Sequence, residues 1–173
     1  MAAAAREQDR GGGEPARATH AWTVARFPAA GNPVGSIAHV SATGIHHVGV
    51  AVADLDEAVE TYRRLFGAEL ELRDAVPDQG VETALMRVGD GRIELLASTE
   101  PDTPVGRFLE RRGPGMHHVA FEVDDVATEL ERLAAGGAEL IDERPRPGLE
   151  GREVAFVHPH ATGGVLAELV ARG

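Results

Sequence analysis

The chain has 173 residues, with 17 basic and 28 acidic side chains, a net charge of −11 and no cysteine. This acidic balance disfavours nucleic acids and anionic membranes as partners, and no apolar run approaches the ~20 residues of a membrane-spanning helix. The lack of cysteine excludes disulfides, zinc fingers, iron–sulfur clusters and thiol nucleophiles. All basic residues are arginine, which excludes Schiff-base chemistry and a phosphate-loop lysine.

Residues 1–43 differ in composition from the rest of the chain. They are rich in Ala, Gly, Arg and Pro and show no apolar periodicity, which predicts a disordered N-terminal tail. Charged residues such as Arg6 and Asp9 interrupt the stretch where a secretory signal would have its apolar core. We therefore expect a cytoplasmic protein whose function lies in residues 44–173.

An internal repeat organises this second region. The string IHHVGVAVADLDEAVETYRRLFGAEL, from Ile45, recurs as MHHVAFEVDDVATELERLAAGGAEL from Met116. At the same offset GVETALM (80–86) matches GREVAFV (151–157), and RIELLAS then matches LAELVAR. Because a repeat dictates architecture, we predict two copies of one module that form a single domain.

Each copy begins with a β-rich run that is followed by a helix signal. In the first copy Asp54 and Glu57 form a capping-box pair and Gly67 ends the helix, and Asp125 and Gly136 repeat these signals. Strands are predicted at 69–74, 81–88 and 92–97 in module one (44–98), and at 138–142, 152–157 and 164–170 in module two (114–171). The segment between the copies (99–113) carries helix-cap signals and predicts a linker helix. The fold class is α+β, with two tandem β-α-β-β-β modules.

The paired histidines are sorted by strand alternation. One face of the first strand carries His46, Val48, Val50 and Val52, and the other carries His47, Gly49 and Ala51. In the second copy His117 falls with Val119, Phe121 and Val123, and His118 falls with Ala120. The bulkier face should pack on the helix of its module. This predicts structural roles for His46 and His117 and places His47 and His118 towards an enclosed cavity.

The last strand of each copy contains a glutamate within an apolar run, Glu94 in IELLA and Glu168 in AELVA. A carboxylate in such a place is costly unless it is paired. A lone histidine or mid-strand glutamate is usually structural or faces solvent, but two of each at repeat-related positions favour a divalent cation. Imidazole and carboxylate ligands suit Zn, Co, Ni, Mn or Fe(II).

Other polar features carry weaker signals. Arginines at Arg111, Arg112, Arg144, Arg146 and Arg152 could bind the phosphates of a bulky substrate, although solvated surface positions are the better explanation. The Pro/Gly-rich segment 142–151 is either a loop that closes over a ligand or a plain connection. His158 lies at a turn and is interpreted as structural.

Residues 44–171 resemble the vicinal oxygen chelate superfamily and, within it, the methylmalonyl-CoA epimerases. The similarity rests on HHVGVAVADLDEAVETY, QGVETALMRVGDGRIELL, FLERRGPGMHHVAFEVDDV, LIDERPRPGLEGREVAFVHP and TGGVLAEL. It implies a cupped mixed sheet around a divalent metal (Co, Mn, Zn or Ni) bound by His47, Glu94, His118 and Glu168. It also implies epimerisation of (2R)- and (2S)-methylmalonyl-CoA through an enolate, with an acyl-CoA as partner and a homodimer as the assembly.

Two departures from the family pattern concern the proton-transfer groups and the substrate. Some members have a catalytic Glu where this chain has Thr83, and Glu82 stands one position earlier. By strict alternation Glu82 would point away from the metal, and only a β-bulge would turn it inward. The expected catalytic residues are Glu168 and, with such a bulge, Glu82. The other departure is His160, which replaces a lysine and puts a contact with the CoA part in doubt.

Two alternatives stay open. Lactoylglutathione lyase uses a comparable His, Glu, His, Glu site, so the ligands alone do not separate the two enzymes. The superfamily also includes metal-free binding modules, but two inward glutamates argue against that class.

Overall fold

The computed structural model describes residues 42–173, which form eight strands and three α-helices. Module one comprises β1 (Gly44–Val52), α1 (Leu55–Phe66), β2 (Glu69–Val76), β3 (Val81–Val88) and β4 (Gly91–Ser98). A linker contains α2 (Pro104–Arg112), and module two comprises β5 (Gly115–Val123), α3 (Val126–Ala135), β6 (Arg146–Pro147), β7 (Glu153–Val157) and β8 (Leu166–Ala171). The tail predicted for residues 1–43 lies outside the described residues, apart from residues 42 and 43.

All eight strands belong to one mixed sheet with the order β2-β3-β4-β1-β5-β8-β7-β6. The first strands of the modules, β1 and β5, pair antiparallel at the centre. Each is flanked by the last strand of its own module in parallel pairing, β1 by β4 and β5 by β8. This arrangement confirms the predicted α+β fold and brings the first and last strands of both modules side by side.

The helices begin and end at the predicted signals. The Asp54 carboxylate accepts a hydrogen bond from the Glu57 amide, and Gly67 ends α1 in the left-handed conformation at φ 64°. Asp125 caps α3 through the Thr128 amide, and the predicted linker helix is α2, which is capped by Thr103. Among the helices of residues 42–173, none is long and apolar enough to cross a membrane.

The modules bury separate cores beneath α1 and α3. The first cluster includes Val52, Leu55, Val59, Ala84, Met86 and Leu95, and the second includes Val123, Val126, Leu130, Ala155, Val157 and Leu169. Burial of such aliphatic side chains stabilises the fold by about 1.5–3 kcal/mol for each larger one. Since these residues use one face of the sheet, the opposite face is left for the polar side chains of β1, β4, β5 and β8.

The prediction of a strand at 138–142 was wrong. Only an isolated bridge joins Leu140 to Val157, and the short strand β6 comes later. The amides of Ile141 and Asp142 both donate to the Phe156 carbonyl, at 3.0 and 3.1 Å, and the Asp142 carboxylate accepts from the Phe156 amide at 2.8 Å. The Asp142 side chain therefore replaces the backbone ladder at this edge.

Candidate metal centre

Four buried side chains converge where the two modules meet. His47 and His118 come from the first strands β1 and β5, and Glu94 and Glu168 come from the last strands β4 and β8. The Nε2 atoms of His47 and His118 lie 2.9 Å apart. The distances from His47 Nε2 to the Oε2 atoms of Glu94 and Glu168 are both 3.2 Å, and those from His118 Nε2 are 3.4 and 3.2 Å. The structure thus brings together the four residues that the sequence singled out.

Three of these residues, His47, His118 and Glu168, have ligand atoms that all lie within 4.8 Å of one another and could hold a metal ion. Zinc bonds of about 2.0–2.2 Å to nitrogen and oxygen in a tetrahedral site place neighbouring ligands about 3.3 Å apart, which is close to the distances from the two histidines to each glutamate. The Oε2 atom of Glu168 is buried and makes no hydrogen bond within residues 42–173. A buried carboxylate oxygen of this kind needs a positive partner.

Protonation of the cluster reflects competition between burial and charge. Burial, the largest influence, favours the neutral imidazole of His47, but Glu168 and Glu94 outweigh it and raise the pKa of His47 to about 9. Burial likewise opposes ionisation of Glu94, yet His118 and His47 hold the pKa of Glu94 below its usual range. A metal ion that binds here must therefore displace a proton from the histidines.

Thr83 on β3 is also a member of the site. The sequence singled it out only as the position at which some family members have a glutamate. Its side chain is buried, and Oγ1 donates a 2.9 Å hydrogen bond to Oε1 of Glu94. This bond leaves Oε2 of Glu94 turned towards the two imidazoles. No pattern along the chain identifies this role, because it depends on the contact between Thr83 and Glu94 across the pair of strands β3 and β4.

The structure does not bring Glu82 to the site. The pairing of β3 with β4 runs without a register shift from Val81 to Val88, so the bulge that would have re-aimed Glu82 is absent from this pair of strands. The Glu82 side chain is 49% exposed and lies 3.5 Å from the Arg73 guanidinium. The geometry gives no support to the expected catalytic role of Glu82.

His46 and His117 depart from the predicted alternation. Val50 and Val52 pack towards α1 as expected, but His46 lines a small cavity with His47, Glu94 and Glu168. Register shifts fall on both histidines, because the pairing of β1 with β5 skips His46 and His117. The prediction that they share the helix-packing face was wrong, since a β-bulge turns each towards its neighbour.

Two adjoining cavities lie beside the histidines of β5, and the smaller of them is lined by His118. One, of about 220 Å³, is lined by His117, His118 and apolar side chains that include Leu96 and Phe156. A second, of about 530 Å³, shares His117 with the first and continues along α2, where Arg107, Arg111 and Arg112 line it. The arginine-lined groove thus adjoins the cavity that His118 lines.

The remaining candidates from the sequence have varied positions. The Arg146 guanidinium lies 5.0 Å from the Phe156 ring centroid, and Arg152 donates to the Ala171 carbonyl at 3.0 Å. Arg144 is exposed. Nδ1 of His158 accepts a hydrogen bond from the His160 amide, so His158 caps its turn.

Comparisons with known proteins agree with this geometry. Residues 46–156 match a family described as the Glyoxalase/Bleomycin resistance protein/Dioxygenase superfamily. The mitochondrial methylmalonyl-CoA epimerase of Bos taurus is 36% identical over 126 residues, which are 72% of this chain and 72% of that protein. The chain belongs to the methylmalonyl-CoA epimerase family.

Further relatives of the family extend the match. The ethylmalonyl-CoA/methylmalonyl-CoA epimerase of Cereibacter sphaeroides is 35% identical, and the alignment covers 72% of this chain and 95% of that protein. The crystal structure of methylmalonyl-CoA epimerase from Mycobacterium tuberculosis superposes with a TM-score of 0.75 at 37% identity, and the match covers 79% of this chain and 93% of that one. A methylmalonyl-CoA epimerase in complex with methylmalonyl-CoA and NH4+ gives the same TM-score at 35% identity, and the match covers 77% of this chain and 96% of that one.

Proposed function

We propose that this protein interconverts (2R)- and (2S)-methylmalonyl-CoA by removing the α-proton and returning it on the opposite face. The convergence of two imidazoles and two carboxylates at 2.9–3.4 Å carries the proposal. The relatives named methylmalonyl-CoA epimerase, at about 35% identity, point to the same substrate. No redox cofactor is needed for this chemistry.

The metal ligands in this proposal are His47, Glu94, His118 and Glu168, and the ion is Co, Mn, Zn or Ni. When bound, such an ion supplies positive charge that stabilises a developing enolate oxygen. The chain itself contributes neutral imidazole nitrogens and ionised carboxylates at fixed positions. Thr83 contributes by holding Oε1 of Glu94.

Proton transfer is assigned to the carboxylates of the cluster. We place Glu168 as one base, since its buried Oε2 lies at the centre of the cluster, 3.2 Å from Nε2 of both His47 and His118. Glu94 occupies the repeat-related position in the other module and is the candidate for the second face. Burial opposes ionisation, but the two histidines hold the pKa of both carboxylates below the usual range, so near neutral pH each glutamate is in the ionised form that can accept the α-proton.

The two adjoining cavities suggest where an acyl-CoA would lie. The apolar cavity of about 220 Å³ next to His118 suits the acyl group and the start of the pantetheine arm. Arg111 and Arg112 line the outer groove, and neither forms an ion pair with another residue of 42–173. Guanidinium groups bind phosphate oxygens in a bidentate manner, so we assign the phosphates of CoA to this groove.

Lactoylglutathione lyase, the alternative that shares this ligand set, is disfavoured by the names of the relatives, which are epimerases of malonyl-CoA derivatives. A metal-free binding module is disfavoured by the buried Glu94 and Glu168. Both carboxylates would need another compensating charge in such a module.

The test is an epimerisation assay that starts from pure (2R)-methylmalonyl-CoA and follows the (2S) isomer. We expect turnover by the metal-loaded protein, loss of activity after chelation and a loss of about 10²–10⁴-fold in Glu168→Gln. Glu82→Gln is the matched control and should retain the wild-type rate. Turnover of the glutathione hemithioacetal of methylglyoxal, without epimerisation of methylmalonyl-CoA, would contradict the assignment.

Two further proposals concern the assembly and the location of the protein. The chain is proposed to form a homodimer, which light scattering on the purified protein would check. It is also proposed to be cytoplasmic, which fractionation of cells would check.

A further inference from the structure

We propose that His46 and His117 are positioning residues that accept hydrogen bonds from the Nδ1–H groups of His47 and His118. The inference rests on the proposed metal site, because it assigns a role to the neighbours of two proposed ligands. In it, each module supplies one imidazole to the metal and a second imidazole that orients the first.

The geometry is the same in both modules. Nδ1 of His46 lies 2.9 Å from Nδ1 of His47, and Nδ1 of His117 lies 3.0 Å from Nδ1 of His118. The ring planes of the two pairs meet at 75° and 83°, with centroids 5.2 and 5.3 Å apart. Two copies of the arrangement, 71 residues apart in the chain, make a chance contact a poor explanation.

Adjacent residues of a regular strand point to opposite faces of the sheet, so such contacts require a local irregularity. In the pairing of β1 with β5, Ile45 pairs with Phe121 and His47 with Ala120, which leaves His46 as the extra residue. Further along, Gly49 pairs with His118 and Val50 with Met116, which leaves His117 as the extra residue. The bulge in each strand thus falls on the histidine that precedes the proposed ligand.

The protonation of the ligand defines the direction of each hydrogen bond. A neutral imidazole that offers Nε2 to a metal carries its proton on Nδ1, which then needs an acceptor. The partner nitrogen of His46 or His117 must be unprotonated, so each flanking ring carries its proton on Nε2. Nε2 of His46 is buried and has no hydrogen-bond partner among the described residues, so the hydrogen bond of this ring is the one made by Nδ1.

A purely structural role makes a different prediction. His46 does not belong to the core beneath α1, and the His117 ring packs against Phe108 with centroids 5.0 Å apart. If these rings served only as packing, phenylalanine would replace them without effect on the metal. If they serve as acceptors, phenylalanine preserves the ring but removes the accepting nitrogen.

The experiment uses the full chain and Co(II) as the probe metal. The dissociation constant is measured by competition with a chromophoric chelator in wild type, His46→Phe, His117→Phe and His46→Asn. Loss of an outer partner of a metal-binding histidine weakens binding about 10–100-fold, so this loss is expected in both phenylalanine variants. His46→Asn offers an acceptor oxygen and should recover part of the affinity, and Leu65→Phe, at an exposed position on α1, should match wild type.

A second measurement reports the hydrogen bonds themselves. The Co(II)-loaded wild type should show two strongly shifted, exchangeable ring N–H resonances, one from each ligand histidine. Each phenylalanine variant should accelerate the exchange of one of them. Unchanged affinity and unchanged exchange in both variants of a protein that binds Co(II) would overturn this inference alone, whereas a wild type that does not bind Co(II) would overturn the metal site as well.

Discussion

The backbone of Gly49 lies directly beneath the imidazole of His118. A Cβ placed on Gly49 would lie 2.2 Å from Cε1, 2.4 Å from Nδ1 and 2.6 Å from Nε2 of that ring. Gly49 pairs with Glu94 on one side and with His118 on the other. The absence of a side chain at this position is therefore what lets one proposed ligand reach the cluster.

Substitution of this glycine should damage the metal centre. In Gly49→Ala the imidazole of His118 must move, and we expect divalent-metal affinity to fall by more than about tenfold, as for other changes that misplace a ligand. Gly44→Ala on the same strand is the control, because nothing lies within 4 Å of a Cβ built there. Equal metal content in the two variants after dialysis would contradict this view of Gly49.

The hydroxyl of Thr83 should contribute to stability through Glu94. Thr83→Val keeps the shape of the side chain but removes the donor from a buried carboxylate, which we expect to destabilise the metal-free protein by about 1.5–3 kcal/mol. Denaturant unfolding measures the change. The neighbouring Glu82→Gln should stay within about 0.5 kcal/mol of wild type, as is usual for an exposed residue, and equal losses in both variants would refute the assignment.

Much of this architecture could be predicted because the chain repeats itself. Capping residues such as Asp54 and Asp125 define the helices, and alternation places His47 and His118 on the face opposite the helices. The glutamates of the last strands follow from their charge within apolar runs. These features depend on local pattern, which one sequence displays directly.

The features that could not be predicted arise from contacts between strands. Alternation assumes regular pairing, and the bulges at His46 and His117 exist only because β1 and β5 pair with shifted register. The irregular edge at 138–142 likewise depends on the Asp142 side chain, which takes the place of a ladder bond. The role of Thr83 depends on its distance to Glu94 across the β3–β4 pair. None of these is encoded by spacing along the chain.

The metal-free protein should lose stability as the pH rises. Burial lowers the pKa of His47, but Glu168 and Glu94 outweigh burial and raise this pKa to about 9, from about 6.5 in an unfolded chain. The stabilising contribution of the charged His47 is therefore fully present below pH ~6.5 and is lost as the pH rises through about 9.

Thermal unfolding between pH 6 and pH 10 checks this sign. We expect the metal-free protein to lose stability on the order of 1–3 kcal/mol across that range. The metal-loaded protein should lack this loss, because the ion replaces the proton on His47. A metal-free protein that became more stable towards pH 9 would show that His47 is not held in its charged form.

The arginine groove should affect the binding of intact substrate. Replacing Arg111 and Arg112 together by glutamine removes two guanidinium groups from the groove, and we expect KM for methylmalonyl-CoA to rise about tenfold or more, with kcat little changed. Methylmalonyl-pantetheine, which lacks the phosphates, should show no such difference. Arg63→Gln on α1, where Arg63 pairs with Glu60, is the control. If the double variant raised KM equally for both substrates, the phosphates would have to bind elsewhere.

Exchange of the α-proton in deuterated water tests the central claim most directly. Proton NMR follows the α-hydrogen signal of methylmalonyl-CoA with metal-loaded protein, chelator-treated protein and chelator-treated protein to which Co(II) has been restored. We predict rapid loss of the signal in the first, persistence in the second and renewed loss in the third, with persistence also in His47→Ala. Exchange at the full rate in protein that holds almost no metal would contradict the account.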